Sequence, residues 1–295
     1  MTTPPTPQAA GHPQAPGQQA PLPRQNRQDA PTGSYASPIT ARPASFGDAL
    51  AAEWTKIRSV RSTMWTLGVM TVLVIGLGVL VAVTLRLTDS LISDVPELSF
   101  GFFGVLLGSL CVITLGVLTI TSEYGTGLIR ATLTACPSRS RVLSAKAAVF
   151  FLLAFAVTTV SATAVAVVQA SMLSGRRADA DDWLRATVGV GLFIALLGLF
   201  SLAVGTLVRH SAGAITVMIG VVLLPLVLGM FMFTESLHGV QKALFTYSIP
   251  SLLSVLYDTS VSGSGPTGWD PLWAMLGATA VAMAIAYVTL EKRDV

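Results

Sequence analysis

The chain has 295 residues, of which 52% are hydrophobic and only 11% are charged, and its net charge is +3. Soluble domains carry about a quarter charged residues, so this composition excludes an ordinary soluble enzyme and indicates a membrane protein. The length is sufficient for a bundle of several membrane-spanning helices.

No cofactor or metal motif accompanies this composition. Cys111 lies in an apolar run and Cys136 in a basic segment, so neither a disulfide nor a zinc site is expected. The chain contains no GxxxxGK[ST] sequence, which predicts that it has no phosphate-binding loop of its own. We therefore expect no bound cofactor and no catalytic residues.

The first 44 residues differ from the rest of the chain. They hold ten of the sixteen prolines, together with many Gln, Ala, Thr and Gly residues. Such a segment buries too little apolar surface to offset its ordering entropy, and it lacks the apolar core of a signal peptide. We predict a disordered, Pro-rich cytoplasmic tail over residues 1–44, followed by a membrane domain over 45–295.

A helix is predicted to begin at Ser45, which forms a capping box with Asp48. Apolar residues recur along it at helical spacing, whereas its other side is polar and carries Glu53, Lys56, Arg58 and Arg61. The pattern favours an amphipathic helix in the membrane interface, and the alternative is a polar lead-in that orients the first span. The apolar stripe consists of Phe46, Leu50, Trp54 and Ile57.

Six runs are long and apolar enough to cross a bilayer, which takes about 20 residues in a helix. No Asp, Glu, Lys or Arg lies in their interiors, so the sequence predicts an all-α bundle of six transmembrane helices. The runs cover approximately residues 65–85, 102–121, 147–171, 187–208, 212–233 and 271–290.

Lysine and arginine are distributed unevenly between the two sides of this bundle. Without the three arginines of the tail, ten Lys and Arg lie on the side of the N-terminus and five on the other. The positive-inside rule therefore predicts that both termini are cytoplasmic.

The outer loop at 234–270 contains an apolar but broken segment, for which two short re-entrant helices or two surface helices are the alternatives.

The cytoplasmic segment 122–146, SEYGTGLIRATLTACPSRSRVLSAK, combines charge with turn residues. The positive-inside rule explains its four bases. It does not explain Glu123 at the end of a span, the glycines at 125 and 127, or the helix-like LIRATLTA that Pro137 closes. These features predict a short cytoplasmic helix that a soluble partner can hold and move.

The segment resembles the corresponding loop of ABC-2 type transporter permeases, which are membrane subunits of ATP-driven exporters. The resemblance covers residues 45–295 and includes the entry segment EWTKIRSVRSTMWTL. It rests on the order of Glu123-Tyr124, Gly127, Arg130, Thr132-Leu133, Pro137, Arg139 and Lys146.

The resemblance implies a half-transporter in the bacterial cytoplasmic membrane. Two permease subunits, identical or different, would pair above two separate ABC ATPase subunits, and each 122–146 loop would supply a coupling helix. Its implied coupling residues are Glu123, Gly127, Arg130, Pro137, Arg139 and Lys146. The missing phosphate loop agrees with an ATPase in another chain, and the transported substrate is not predicted.

Three other classes of membrane protein are alternatives to a permease. A secondary carrier or an intramembrane enzyme is disfavoured, because such proteins need titratable groups at depth and none lies inside the six runs. A non-transporting membrane scaffold or sensor, which would recruit partners through the Pro-rich tail, stays as the alternative.

Overall fold

A computed structural model describes residues 45–88, 95–135, 138–232, 234–259 and 265–292. The predicted disordered tail, Cys136 and Pro137 lie outside these residues. The described part forms the helices α1 (Phe46–Ser59), α2 (Arg61–Leu87), α3 (Gly101–Thr126), α4 (Leu128–Ala135), α5 (Arg139–Met172), α6 (Ala180–Leu184), α7 (Val190–Val208), α8 (Ser211–Met230), α9 (His238–Thr246), α10 (Ile249–Val255) and α11 (Asp270–Lys292).

Six helical segments are long and apolar enough to cross a membrane, as the sequence predicted. They are α2, α3, α5, the continuous segment Ala180–Val208, α8 and α11. In the fourth of these, a π-helical turn at Arg185–Gly189 joins α6 to α7. The predicted all-α fold with six spans is therefore confirmed.

The helices are longer than the predicted spans where polar residues follow the apolar run. Helix α3 continues through Glu123 to Thr126, and α5 begins at Arg139, so that Lys146 is a helical residue. Ser138 accepts a hydrogen bond from the backbone N–H of Arg141 and thereby caps the start of α5. Two charged side chains are thus placed near the ends of membrane helices.

Helix α7 forms the centre of the bundle and packs against α3, α5 and α11. Its contact with α3 is close because two glycines face each other. A Cβ atom added to Gly116 would lie 2.5 Å from the carbonyl oxygen of Gly198. Small residues allow such backbone approach between membrane helices. Helix α2 packs on the other side of α3 and on α5.

Replacing Gly116 by alanine should destabilise the bundle, because the added methyl group would displace backbone atoms of α7. Overpacking of this kind costs about 1–3 kcal/mol. Gly277→Ala is the matched control, since a Cβ atom there meets nothing within 4 Å. Thermal unfolding in detergent should show a lower Tm for Gly116→Ala alone. Equal Tm values for the two variants would contradict the close α3–α7 approach.

We call the end of the bundle that carries α1 and α4 the α4 end, and the end that carries α6, α9 and α10 the opposite end. The segment 234–259 contains two short helices, α9 and α10, as expected. Pro250 does not interrupt a helix, because it lies in the first turn of α10, where its missing N–H is harmless. The break falls at Ser248, which caps α10.

Candidate functional site

Four charged side chains meet at the α4 end and form a closed ring, which we call the charge ring. Lys146 Nζ lies 2.6 Å from Glu53 Oε2 and 2.6 Å from Glu123 Oε1. Lys56 Nζ lies 2.9 Å from Glu53 Oε1 and 2.6 Å from Glu123 Oε1. Each lysine therefore contacts both glutamates. The ring joins α1, α3 and α5.

The charge ring is largely shielded from solvent. Lys146 is fully buried, Glu53 and Glu123 are 3% and 2% exposed, and the Lys56 side chain is 35% exposed. Moving charges out of water is costly, and pairing repays that cost only while every partner is present. The ring carries no net charge, so loss of any one member would leave an uncompensated charge in a buried place.

Helix α1 contributes two members because its buried face carries both Glu53 and Ile57. The Ser45–Asp48 capping box that the sequence predicted is present at its start. Within the predicted apolar stripe, Ile57 is buried, whereas Phe46 and Trp54 are exposed on the surface of the protein. Glu53, expected on the polar side, instead faces the bundle, because Lys146 of α5 compensates its charge there.

The two ring members on α1 have opposite pKa shifts with related causes. Burial alone would raise the pKa of Glu53, but Lys146 and Lys56 outweigh burial and hold it below its usual range. Burial alone would lower the pKa of Lys56, but Glu123 and Glu53 outweigh burial and raise it. Both groups are therefore held in their charged forms.

The predicted short helix is present as α4, with the bounds Leu128–Ala135 expected from LIRATLTA. Gly127 separates it from α3 with φ +72°, a left-handed conformation that favours glycine. Glu123 lies before this turn and Lys146 lies beyond α4. Their salt bridge therefore closes the base of a helical hairpin formed by α3, α4 and α5.

Two further contacts attach this hairpin to the rest of the bundle. Arg139 Nη1 at the start of α5 donates a hydrogen bond of 2.9 Å to the carbonyl oxygen of Leu290 in α11. The guanidinium of Arg209, at the end of α7, lies 5.1 Å from the centre of the Tyr124 ring in α3. The base of the hairpin is thus connected to α1, α7 and α11.

A short helix between two apolar helices is the arrangement that the loop sequence had indicated, whereas the buried charge ring at its base emerges only from the structure. Comparison with protein-family models matches residues 32–295 to the ABC-2 family transporter protein. The chain belongs to the ABC-2 transporter family. A search of curated proteins finds no match.

Membership makes this ABC-2 protein a permease, the membrane component of an ABC transporter, and implies association with an ABC ATPase. A permease of this family is a membrane component and is not itself the catalytic subunit. Among the described residues, no group of three or more His, Cys, Asp or Glu side chains is placed to hold a metal ion.

The six residues that the resemblance implied for coupling occupy different positions in the ABC-2 permease. Glu123 and Lys146 are buried in the charge ring, Arg139 contacts α11, and Gly127 forms the turn before α4. The backbone of Arg130 belongs to α4. Pro137 lies outside the described residues, and the coupling role of all six stays a prediction.

The opposite end of the permease is stabilised by local ion pairs. Arg185 contacts Asp181 and Asp182 at 2.8 and 2.5 Å, and Arg176 pairs with Asp258. Trp269 Nε1 donates a hydrogen bond of 3.0 Å to Asp181. Acids close in sequence or in space thus compensate the charges of Arg176 and Arg185.

Proposed function

We propose that this ABC-2 permease is half of an exporter and that a separate ABC ATPase drives it through the segment 122–146. The observation that carries the proposal is the charge ring, because it closes the base of the hairpin around α4 and attaches this hairpin to α1. A second permease subunit, identical or different, would complete the translocation path.

Burial divides the coupling residues into two groups. Glu123 and Lys146 are inaccessible to another protein, so they act inside the subunit, between the hairpin and the bundle. The contact with the ATPase belongs to α4, on which Leu128 is 53% exposed and Arg130 supplies a positive charge. Gly127 and Pro137 bound this contact helix, and Arg139 passes its movement to α11.

Movement of α4 would then reach the whole bundle. The charge ring carries it to α1 and α5, the Arg209–Tyr124 contact carries it to α7, and the Arg139–Leu290 bond carries it to α11. Because α5, α7 and α11 continue to the opposite end, a displacement of α4 on closure of the ATPase would alter the packing around α9 and α10. This is the rigid-body type of transition seen in many switching proteins.

The distribution of charge favours a cytoplasmic location for the α4 end. The excess of Lys and Arg lies at this end, which the positive-inside rule assigns to the cytoplasm of the bacterial cell. Phe46 and Trp54 of α1 are exposed on the surface of the protein, as expected for side chains that insert into the membrane interface. In the same orientation, α9 and α10 dip into the outer leaflet.

The ATPase contact can be tested by purifying the permease from its native membrane and measuring the ABC ATPase that copurifies with it. Arg130→Glu should reduce copurification about tenfold or more, since truncation of a buried interfacial charge pair costs about 2–5 kcal/mol. Lys242→Glu, which makes the same charge reversal on α9, is the control and should copurify as the wild type does. Unchanged copurification of Arg130→Glu would contradict the proposed contact.

A further inference from the structure

Two arginines lie where α1 ends and α2 begins. Arg58 is in the last turn of α1, Arg61 is the first residue of α2, and Val60 separates the two helices in an extended conformation. Both arginines are exposed, and neither guanidinium has an ion-pair or hydrogen-bond partner among the described residues. Three residues of chain span at most about 11 Å, so the two side chains leave the backbone close together.

The positive charge of these arginines is not compensated nearby. In the charge ring, the two lysines engage the two glutamates, so the ring adds no net charge. The other acid of α1 is Asp48, which precedes Arg58 by ten residues and lies about 15 Å away along the helix axis. The Debye length is about 8 Å at physiological salt, so Asp48 compensates little of this charge. The end of α1 thus presents an excess of positive charge.

Exposed tryptophans flank both arginines. Trp54 lies one turn before Arg58 on α1, and Trp65 lies one turn after Arg61 on α2. The two tryptophans are 49% and 76% exposed. Side chains four residues apart share a helix face, and tryptophan is enriched where a membrane meets water. We call these four residues, which combine positive charge with interfacial aromatic rings, the α1–α2 junction.

The faces of α1 place the α1–α2 junction at the depth of the lipid headgroups. Successive residues of a helix are turned by about 100° from one another. Ile57 faces the bundle, whereas Thr55 and Ser59 are exposed on the opposite side of α1. Trp54 and Arg58 lie on the flank between these two sides. An interfacial helix has its polar side in water, so this flank lies against the membrane surface.

The side chains of the α1–α2 junction suit a phosphate group. A guanidinium presents its N–H groups in a planar fork, which donates two parallel hydrogen bonds to phosphate oxygens. At the depth of the headgroups, these phosphates belong to lipids. In a zwitterionic lipid the phosphate is accompanied by a positive amine, which two adjacent arginines repel, whereas an anionic phospholipid has no such group.

We propose that the α1–α2 junction binds an anionic phospholipid of the phosphatidylglycerol type. Arg58 and Arg61 donate hydrogen bonds to its phosphate, and Trp54 and Trp65 contact its glycerol and the adjoining part of its acyl chains. The lipid then holds α1 against the membrane, while the charge ring holds the neighbouring face of α1 against the bundle. The proposal concerns the permease alone and does not depend on its coupling to an ATPase.

Native mass spectrometry of the full chain in detergent, titrated with phosphatidylglycerol or with phosphatidylcholine of the same acyl chains, tests the proposal. The wild type should bind phosphatidylglycerol about tenfold more tightly, the order expected for two basic residues at an anionic lipid surface. Arg58→Gln/Arg61→Gln removes both charges and keeps the side chains polar, so it should lose most of this preference. Both side chains are exposed, so the Tm of this variant should equal that of the wild type.

Arg177→Gln/Lys242→Gln is the matched control, because it removes the same charge from exposed positions at the opposite end. It should retain the wild-type preference for phosphatidylglycerol. Equal binding of the two lipids by the wild type would overturn the proposal. An equal loss of preference in the two double variants would overturn it as well, since the effect would then come from net charge and not from the α1–α2 junction.

Contact with the ATPase is the competing role for the same two arginines. In that case Arg58→Gln/Arg61→Gln would keep the preference for phosphatidylglycerol and would lose the copurifying ATPase, which would overturn the proposal. Loss of the lipid preference with unchanged copurification of the ATPase would support it.

Discussion

Replacing Lys146 by methionine should destabilise the permease by about 3–5 kcal/mol, the usual cost of removing one partner from a buried ion pair. Lys146 is fully buried and contacts both glutamates of the charge ring. Methionine fills a similar volume, so the loss would come from the uncompensated carboxylates. Denaturant-induced unfolding in mixed micelles, followed by tryptophan fluorescence, measures the free energy of unfolding.

The double variant Glu123→Leu/Lys146→Met separates charge from packing. It removes one acid and one base together and leaves the Glu53–Lys56 pair within α1. Replacing a buried ion pair by apolar residues is often neutral or stabilising, so most of the stability lost in Lys146→Met should return. A double variant less stable than Lys146→Met would show that the single substitution acts through packing and not through unpaired charge.

Replacing Glu53 by alanine should release α1 from the bundle. Glu53 is the α1 side chain that contacts Lys146, and its loss leaves two lysines with one carboxylate. Breaking a buried pair costs about 3–5 kcal/mol, so amide exchange over residues 46–59 should accelerate by a hundredfold or more. Hydrogen exchange with mass spectrometry measures this rate segment by segment.

Asp48→Ala is the matched control for Glu53→Ala, since it removes an acid from the same helix. Asp48 belongs to the capping box and is exposed, so its loss should cost about 1 kcal/mol and affect only the first turn. If Glu53→Ala and Asp48→Ala changed exchange over α1 equally, the docking of this helix would rest on something other than the charge ring.

The features that the sequence predicted correctly are those with local causes. Long apolar runs predicted the six spans, because each span must satisfy its backbone internally and expose apolar side chains to lipid. Gly127 and the run LIRATLTA predicted α4, because a glycine can adopt the left-handed turn that ends one helix before the next begins. Ser45 and Asp48 predicted the start of α1 in the same way.

The charge ring could not be predicted, since its members are far apart in sequence. Lys56 and Glu123 are separated by 67 residues, and Glu53 and Lys146 by 93. A hydropathy pattern ends a span at the first charged residue and therefore placed Glu123 and Lys146 in a loop. Their charges are compensated across helices, so the helices continue past the apolar runs. The only signal was the position of two acids and two bases beside apolar segments.

The buried face of α1 illustrates the same limit. Periodicity placed Glu53 on a polar side, and in the structure that side faces α5 because Lys146 lies there. A cavity beside the ring is likewise invisible in the sequence, because its walls come from α1, α2, α3, α4 and α5. Features assembled from several helices require the three-dimensional arrangement, whereas features of a single helix do not.

The central claim is that the charge ring carries movement of α4 to the opposite end of the permease. Hydrogen exchange of the permease–ATPase complex, with and without trapped ATP, tests it most directly and needs no known substrate. In the wild type, ATP should change exchange over α9 and α10, residues 238–255. In Glu123→Leu/Lys146→Met, α4 should keep the protection that the ATPase gives it, while the change at 238–255 should be much smaller because only the Arg209–Tyr124 and Arg139–Leu290 contacts remain. A change at 238–255 of wild-type size in this variant would contradict the account.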